Sequence, residues 1–410
     1  MKKKYAVAVI ILLGLITARI FSLTGRMDIF SHYHNPSMAC EELERLKTLP
    51  YLNWDTIENG EENKSGVVKH EPGLAYDGYN LYTSEPRGRA YLIDMRGNMV
   101  YEWGEPSKKG WKTAYLNEDG SLFYIKTNTL MGKVDRNSVR TWVRRCRFDH
   151  SIDVAENGDI VSVINQHGQV TYKDRTIPVL NNYIVVLAPG GKIKKRVSLI
   201  RMMLRDIPAH VMDGIAEVYD PDNPPAKIGV NSIYDVFHTN AAKIIRRDVP
   251  VLCAKGDILI SVRNLSTIAI VRIDETRVIW KWGRHNLLYQ HDPTLLDNGN
   301  ILIFDNQIEM TGSRVIEVNP LTKKIEWEYT GSPPKSFFSR TRGAAQKLPN
   351  GNVLIIESDK GHAFEVTPGG RIVWDFYNPD IADKDGESRR ATIYKMTRID
   401  KNDCAGFLSR

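Results

Sequence analysis

A short unit recurs in tandem along this chain, and that recurrence narrows its fold more than any single motif. Each copy runs as an apolar strand, a turn containing Gly, a second strand, a third strand, and a last strand carrying Trp or another aromatic. The clearest copy spans His291 to Tyr329 (HDPTLLDNGNILIFDN, SRVIEVNP, KKIEWEY), and its neighbour spans Gly343 to Phe376 (GAAQKLPNGNVLIIES, GHAFEVTPGG, RIVWDF). Earlier copies are HTNAAKI with KGDILISVRN, IAIVRID and RVIWKW; HSIDVAENGDIVSVI with NNYIVVLAPGGKI; and KTAYLNEDGSLFYIK preceded by RAYLIDM and NMVYEW. Asn157-Gly158, Asn298-Gly299, Asn350-Gly351 and Asp119-Gly120 read as hairpin turns, with type I′ the expected form. The flanking runs are too short and too rich in Val, Ile and Tyr for helices. Four short strands per unit, repeated, is the signature of a propeller blade. The predicted fold is therefore all-β, a six-bladed β-propeller over residues 73–400. Five units lie between Gly73 and Phe376. The sixth forms if Thr392–Ile399 pairs with strands near Leu74–Ser84, a closure that removes exposed sheet edges.

Three stretches depart from the repeat. Residues 197–235 hold a helical pattern and a Pro/Asp-rich loop, and read as a partly helical insertion between blades. Residues 26–72 are polar without a strand pattern and read as a linker, and residues 401–410 as a tail. At the N-terminus, Lys2, Lys3 and Lys4 precede an apolar run from Tyr5 to Ala18, which is short for a membrane span. Residues 1–25 read as a signal peptide or membrane anchor. The body is then exported, periplasmic or extracytoplasmic, and meets a membrane only through this segment. Cys40, Cys146, Cys253 and Cys404 fit an oxidising compartment and allow one or two disulfides. No CxxC occurs, which excludes a zinc ribbon. The net charge of +7 says little about a site. Arg144-Arg145 and Lys192–Arg196 lack interleaved aromatics and read as solvated edges, so no nucleic-acid partner is expected.

Aligning the units on their turn glycines brings the histidines into register. His150, His291 and Lys112 each lie eight residues before their turn glycine (Gly158, Gly299 and Gly120). His238 begins the same strand of its own unit, ahead of a ten-residue extension before Gly256. In the last unit the aligned position is Gly343, beside Arg342. First strands line the axis of a propeller, so His150, His238 and His291 are expected to converge with Lys112 and Arg342 at one mouth. Arg314 and His362 start third strands of consecutive units and are expected near the same region. Neutral imidazole serves as nucleophile, general base or metal ligand, and guanidinium suits oxyanions. An anionic substrate is the favoured reading. A three-His metal site is disfavoured by the surrounding cations, an objection that Asp292 softens, and a non-enzymatic propeller binding an anionic ligand or protein is the rival. No GxSxG and no Walker-type loop occurs, so neither a serine hydrolase nor a nucleotide cofactor is indicated.

The segments GRAYLIDMRGNMVYEW, DVFHTNAA, QHDPTLLDNGNILIFDN with SRVIEV, and RGAAQKLPNGNVLIIES with FEVTPGGRIVWDF resemble the bacterial arylsulfotransferases, which work without a nucleotide sulfate donor. The resemblance covers roughly residues 65–377. It implies transfer of a sulfuryl group from a phenolic sulfate ester to a phenolic acceptor through a transient sulfohistidine, with no cofactor. Carried over, His238 matches the family's histidine in DVFHTN, His291 the one in QHD, and Arg314 the arginine in SRVIEV. The family's nucleophilic histidine sits in the following blade, where this chain has Ser339-Arg340-Thr341-Arg342-Gly343 instead. Either His291 or His362 then carries the nucleophilic role, or this member is altered in chemistry or inactive.

Overall fold

The computed structural model describes residues 53–409 apart from 59, 106–109, 226–227, 308–310 and 385. The predicted export segment and Cys40 lie outside the described residues. The body is all-β, built chiefly from six antiparallel sheets of four or five strands. Sheet I orders its strands Ile393–Ile399, Tyr79–Ser84, Arg89–Ile93 and Met99–Gly104; sheet II, Thr113–Leu116 to Arg140–Arg145; sheet III, Phe148–Val154 to Ile193–Ser198. Sheet IV runs from Thr239–Ile244 to Arg277–Trp282, sheet V from His291–Leu295 to Ile325–Thr330, and sheet VI from Ala344–Lys347 to Ile372–Tyr377. The first strands of sheets II to VI touch in succession, and that of sheet VI touches Ile393–Ile399. The last long strand of the chain thus completes the first sheet, pairing Ile399 with Tyr79 and Thr397 with Leu81.

Burial explains the sequence pattern. Second strands such as Ile301–Asp305 and Val353–Glu357 are buried on both faces, so their apolar runs are continuous. The outer strand Ile325–Thr330 alternates half-buried and exposed residues, as IEWEYT does in sequence. Outer-strand tryptophans then latch neighbouring sheets together. Trp142, Trp280 and Trp327 donate their indole N–H to Pro189, Pro320 and Pro368 carbonyls at 3.0, 3.1 and 2.8 Å. Trp374 of sheet VI reaches Met95 of sheet I at 2.9 Å, which continues the series across the junction between the last sheet and the first.

Several expectations need correction. Only the glycine of each Asn-Gly pair has positive φ, as at Gly158 (80°) and Gly299 (87°). The Gly158 N–H donates to Ala155 O at 2.8 Å. These are type I turns followed by a left-handed glycine, not type I′, and Asn157 Oδ1 is spent accepting the Asp159 N–H. The stretch read as linker supplies two strands. Gly66–His70 extends sheet VI, and Trp54–Thr56 joins Glu387–Ala391 and Ile381–Lys384 in a separate three-stranded sheet. The stretch read as a tail is a helix, Lys401–Leu408, capped by Asp400 and burying Cys404 and Phe407. Cys146, Cys253 and Cys404 are unbridged and sit in or against three different cores. Helices do follow sheet III, at Leu199–Met203 and Ala209–Val218. No described helix is long and apolar enough to cross a membrane.

Closure depends on apolar residues of the last strand. Met396 is 1% exposed, in one core with Ile356, Trp374 and Ile393. Met396→Ala is expected to cost about 2–5 kcal/mol. Met99→Ala, on the outer strand of the same sheet at 53% exposed, is expected to cost less than about 0.5 kcal/mol. Urea denaturation followed by circular dichroism checks both.

Candidate functional site

Inner strands break register where they reach one mouth of the ring. Bulges fall between Asp149 and Ile152, Thr239 and Ala241, His291 and Thr294, and Ile393 and Met396. His150, His238 and Asp292 there take positive φ (63°, 45° and 50°). Such non-glycine conformations cost about 1–3 kcal/mol each and persist only where surroundings impose them. A bulge re-aims a side chain, and here it turns imidazoles from three sheets toward one another. The His150 and His238 rings stand 5.2 Å apart, and both lie close enough to His291 to act on its protonation.

Each ring is oriented by a different partner. His238 Nδ1 donates to Asp235 Oδ2 at 2.7 Å, while Asp235 also accepts the backbone N–H groups of His238 and Asn231. His150 Nδ1 shares a 3.0 Å hydrogen bond with the Tyr394 hydroxyl, and its Nε2 lies 3.1 Å from Asp149. Burial, with Lys112 and His238 nearby, pushes His150 down to about 3. His291 Nδ1 meets Asn306 Oδ1 at 2.7 Å. The Asn306 amide nitrogen donates to Ser339 O at 2.8 Å and Arg342 O at 2.6 Å, so its oxygen must be the acceptor. His291 therefore carries its proton on Nδ1 and a bare lone pair on Nε2. That Nε2 is buried without a hydrogen-bond partner. Burial first, then the positive charge of Arg263, holds His291 well below the usual imidazole range. The ring is thus oriented and desolvated, with its Nε2 lone pair facing away from Asn306.

Lys112 and Arg342 border the same region. Lys112 Nζ binds Asp149 at 2.9 Å and sits 4.9 Å over the Tyr394 ring. Arg342 is clamped by Glu85 and Asp359, both at 2.9 Å. Both line a cleft of about 580 Å³ with Lys126, Lys384, Thr127 and Trp54. The sixth sheet offers no histidine at the aligned position. Gly343 has φ of 150°, and a side chain there would strike the Phe304 ring.

Two sequence-predicted residues are placed elsewhere. Arg314 Nε binds Asp305 at 2.8 Å, its register partner on the adjoining strand. Its Nη atoms go to Glu328 and the Asn286 carbonyl. His362 has both nitrogens committed, Nδ1 to Glu357 at 2.9 Å and Nε2 to Asp375 at 2.6 Å, with its ring stacked on Tyr377 and Phe364. Third strands stand back from the axis, so beginning one does not bring a side chain to the mouth. Sequence reasoning also passed over Arg263, Asn306, Tyr394 and Asp235. Asp235 opens the quoted DVFHTNAA and Asn306 closes the quoted QHDPTLLDNGNILIFDN, while Tyr394 lies on the closing strand. Among the described residues, no three His, Cys, Asp or Glu side chains are grouped to hold a metal ion.

The family model described as Arylsulfotransferase (ASST) matches residues 95–379. No curated protein matches the chain. Among solved structures, a protein of unknown function from Bacteroides caccae is 11% identical, with a TM-score of 0.50 over 78% of this chain and 98% of that one. A streptogramin B lyase is 13% identical with a TM-score of 0.44 (85% and 98% covered), and the WD40 β-propeller domain of Doa1 is 11% identical with 0.43 (83% and 99%). Likeness at such identities speaks to fold alone.

The His362 clamp has a measurable consequence. Burial alone would lower its pKa, but hydrogen bonds to Asp375 and Glu357 outweigh that and raise it to about 9. A histidine raised above its unfolded value of about 6.5 stabilises the fold fully below that pH, and the stabilisation is lost as pH climbs through 9. Wild-type stability minus that of His362→Gln is expected to shrink by roughly 3 kcal/mol between pH 6 and 10. Denaturation across that range checks the sign.

Proposed function

Because the chain belongs to the arylsulfotransferase family, we propose that it moves a sulfuryl group from a phenolic sulfate ester to a phenolic acceptor, with His291 Nε2 carrying the group between them. The observation that supports this most is the tautomer of His291, set by an asparagine whose amide protons are already committed. The six sheets are, in this reading, six blades around one axis, and the cleft beside Lys112 and Arg342 admits the ester. Residues 1–25 export or anchor the body outside the cytoplasm, a reading motivated by the three lysines ahead of the apolar run.

In the first half-reaction the Nε2 lone pair attacks sulfur. The N–S bond forms as the S–O(aryl) bond breaks, and its electron pair leaves on the phenolate oxygen. Nδ1–H stays on Asn306 Oδ1, which stabilises the positive charge that develops on the ring. In the second half-reaction an acceptor phenol gives its proton to His238, whose ring is backed by Asp235 as a general base requires. The acceptor oxygen bonds to sulfur, the N–S bond breaks, and the lone pair returns to Nε2. Basic side chains lining the cleft suit the charge of the ester, and Trp54 offers its ring an aromatic face.

His291→Ala is expected to lower transfer from 4-nitrophenyl sulfate to phenol by roughly a thousandfold or more. Asn306→Ala, which frees the tautomer, is expected to lower it by roughly a hundredfold. His362→Gln should stay within about threefold, its side chain being occupied elsewhere. Rapid quench with labelled donor should leave the label on the peptide containing His291. Undiminished turnover in His291→Ala would sink the proposal.

A further inference from the structure

Half of the described lining of the cleft beside Lys112 and Arg342 comes from outside the family match. Asn53, Trp54, Glu85 and Pro86 precede the matched residues and Lys384 follows them, five of ten. Trp54 and Lys384 reach the cleft on the small three-stranded sheet. Trp54 pairs with Ala391 across it, and the Asn53 carbonyl accepts the Thr392 N–H at 3.1 Å. Asp55 takes Arg340 at 3.2 Å. This sheet is thereby fixed both to the residue ahead of the closing strand and to the segment leading into sheet VI. The charges of the cleft are answered unequally. Lys112 holds Asp149, Lys126 holds Glu105, and Arg342 holds Glu85 and Asp359. Glu85, the one carboxylate of the described lining, also accepts the Thr392 hydroxyl at 2.7 Å. Lys384 has no carboxylate among the described residues. Its Nζ rests 4.9 Å over the half-buried Trp54 indole. Arg87, itself held by Asp380 at 2.7 Å, stands 5.9 Å from the same ring. A cation over an aromatic face is held less strongly than one in a charge-assisted hydrogen bond. Lysine is also a point charge on a flexible stem, which an anion draws toward itself.

We propose that this wall selects arenes carrying a second anionic group, a carboxylate in the simplest case. The carboxylate takes the Lys384 ammonium from the indole, and the uncovered Trp54 face receives the aromatic ring. The reacting end then points toward Lys112 and Arg342, which both border the histidines. Lys112 does so through Asp149, 3.1 Å from His150 Nε2, and Arg342 through its carbonyl, which accepts from Asn306. A cleft of about 580 Å³ falls in the range of roughly 300–1,000 Å³ that holds drug-sized molecules, so a substituted arene fits where a bare phenol would rattle. The described lining presents four cations against one carboxylate, which matches a dianion better than the singly charged ester. This names a substrate class for the transfer reading above and rests on it, although binding itself is measured without turnover.

The test compares, in the full chain, transfer from 4-nitrophenyl sulfate to 4-hydroxyphenylacetate and to its uncharged counterpart 4-hydroxyphenylacetamide. Wild type is expected to favour the acid by roughly tenfold or more in kcat/KM. In Lys384→Gln that ratio should fall to within about twofold of unity. Trp54→Ala should act chiefly on KM for the acid, raising it roughly tenfold. Trp54→Phe, which keeps a ring, should lie between it and wild type and guards against misfolding of the Ala variant. Calorimetric titration with 4-hydroxyphenylacetate reads binding apart from chemistry. Turnover with equal use of acid and amide, in wild type as in Lys384→Gln, overturns this inference and leaves the transfer reading standing. Acid binding that weakens roughly tenfold in Lys384→Gln, in a protein that transfers from no donor, keeps the anionic-arene site and removes the transferase. Acid binding indifferent to both Lys384 and Trp54 overturns the inference whatever the turnover.

Discussion

Everything at the mouth of the ring depends on a closure made between the two ends of the body. No sheet here is self-sufficient, because its second and third strands are apolar on both faces and each face must meet a neighbour. The first sheet lacks an inner strand until Ile393–Ile399 supplies one. Once it does, Met396 and Ile393 fill the core between the first and last sheets, and the Trp374 indole ties the same junction at its rim. Three imidazoles from three different sheets keep their spacing only because the ring cannot open. The bulges beneath them need that rigidity as well, since left-handed backbone at His150 and His238 relaxes unless surrounding structure opposes it.

Rigidity then becomes chemistry through one amide. Asn306 could present either end to His291, but two carbonyls from the segment leading into the sixth sheet claim its nitrogen. The tautomer of the histidine is thus decided by backbone positions one sheet away. The segment leading into the sixth sheet thus contributes through the carbonyls of Ser339 and Arg342. A second consequence of burial runs the same way. Desolvation holds both His291 and His150 well below the usual imidazole range, so two of the three clustered rings keep their lone pairs.

The repeat was readable because its turns demand glycine at a fixed distance from each inner strand, and the same register placed His150, His238 and His291 together. Even the closing strand could be anticipated, from an unpaired apolar run near the C-terminus. Where the reading failed, the missing information was tertiary. Arg314 looks free in sequence, yet the ladder sets Asp305 directly opposite. His362 shares the motif position of Arg314, but its neighbours Glu357 and Asp375 come from the strands on either side and take both nitrogens. Arg263 is one among 56 lysines and arginines, and nothing local marks it. Its charge acts on the His291 ring only in the folded chain. Trp54–Thr56 is three residues long, too short for any periodicity to register.

The closing strand also delivers Tyr394 to His150 and Lys395 to Asp292. One side of the histidine cluster is therefore made from a strand that follows every other strand of the six sheets in sequence. Sheets II to V are fully translated before that strand exists, yet they enclose an incomplete pocket. A stop codon ahead of Ile393 removes the Tyr394 and Lys395 contacts together with the strand that completes the first sheet.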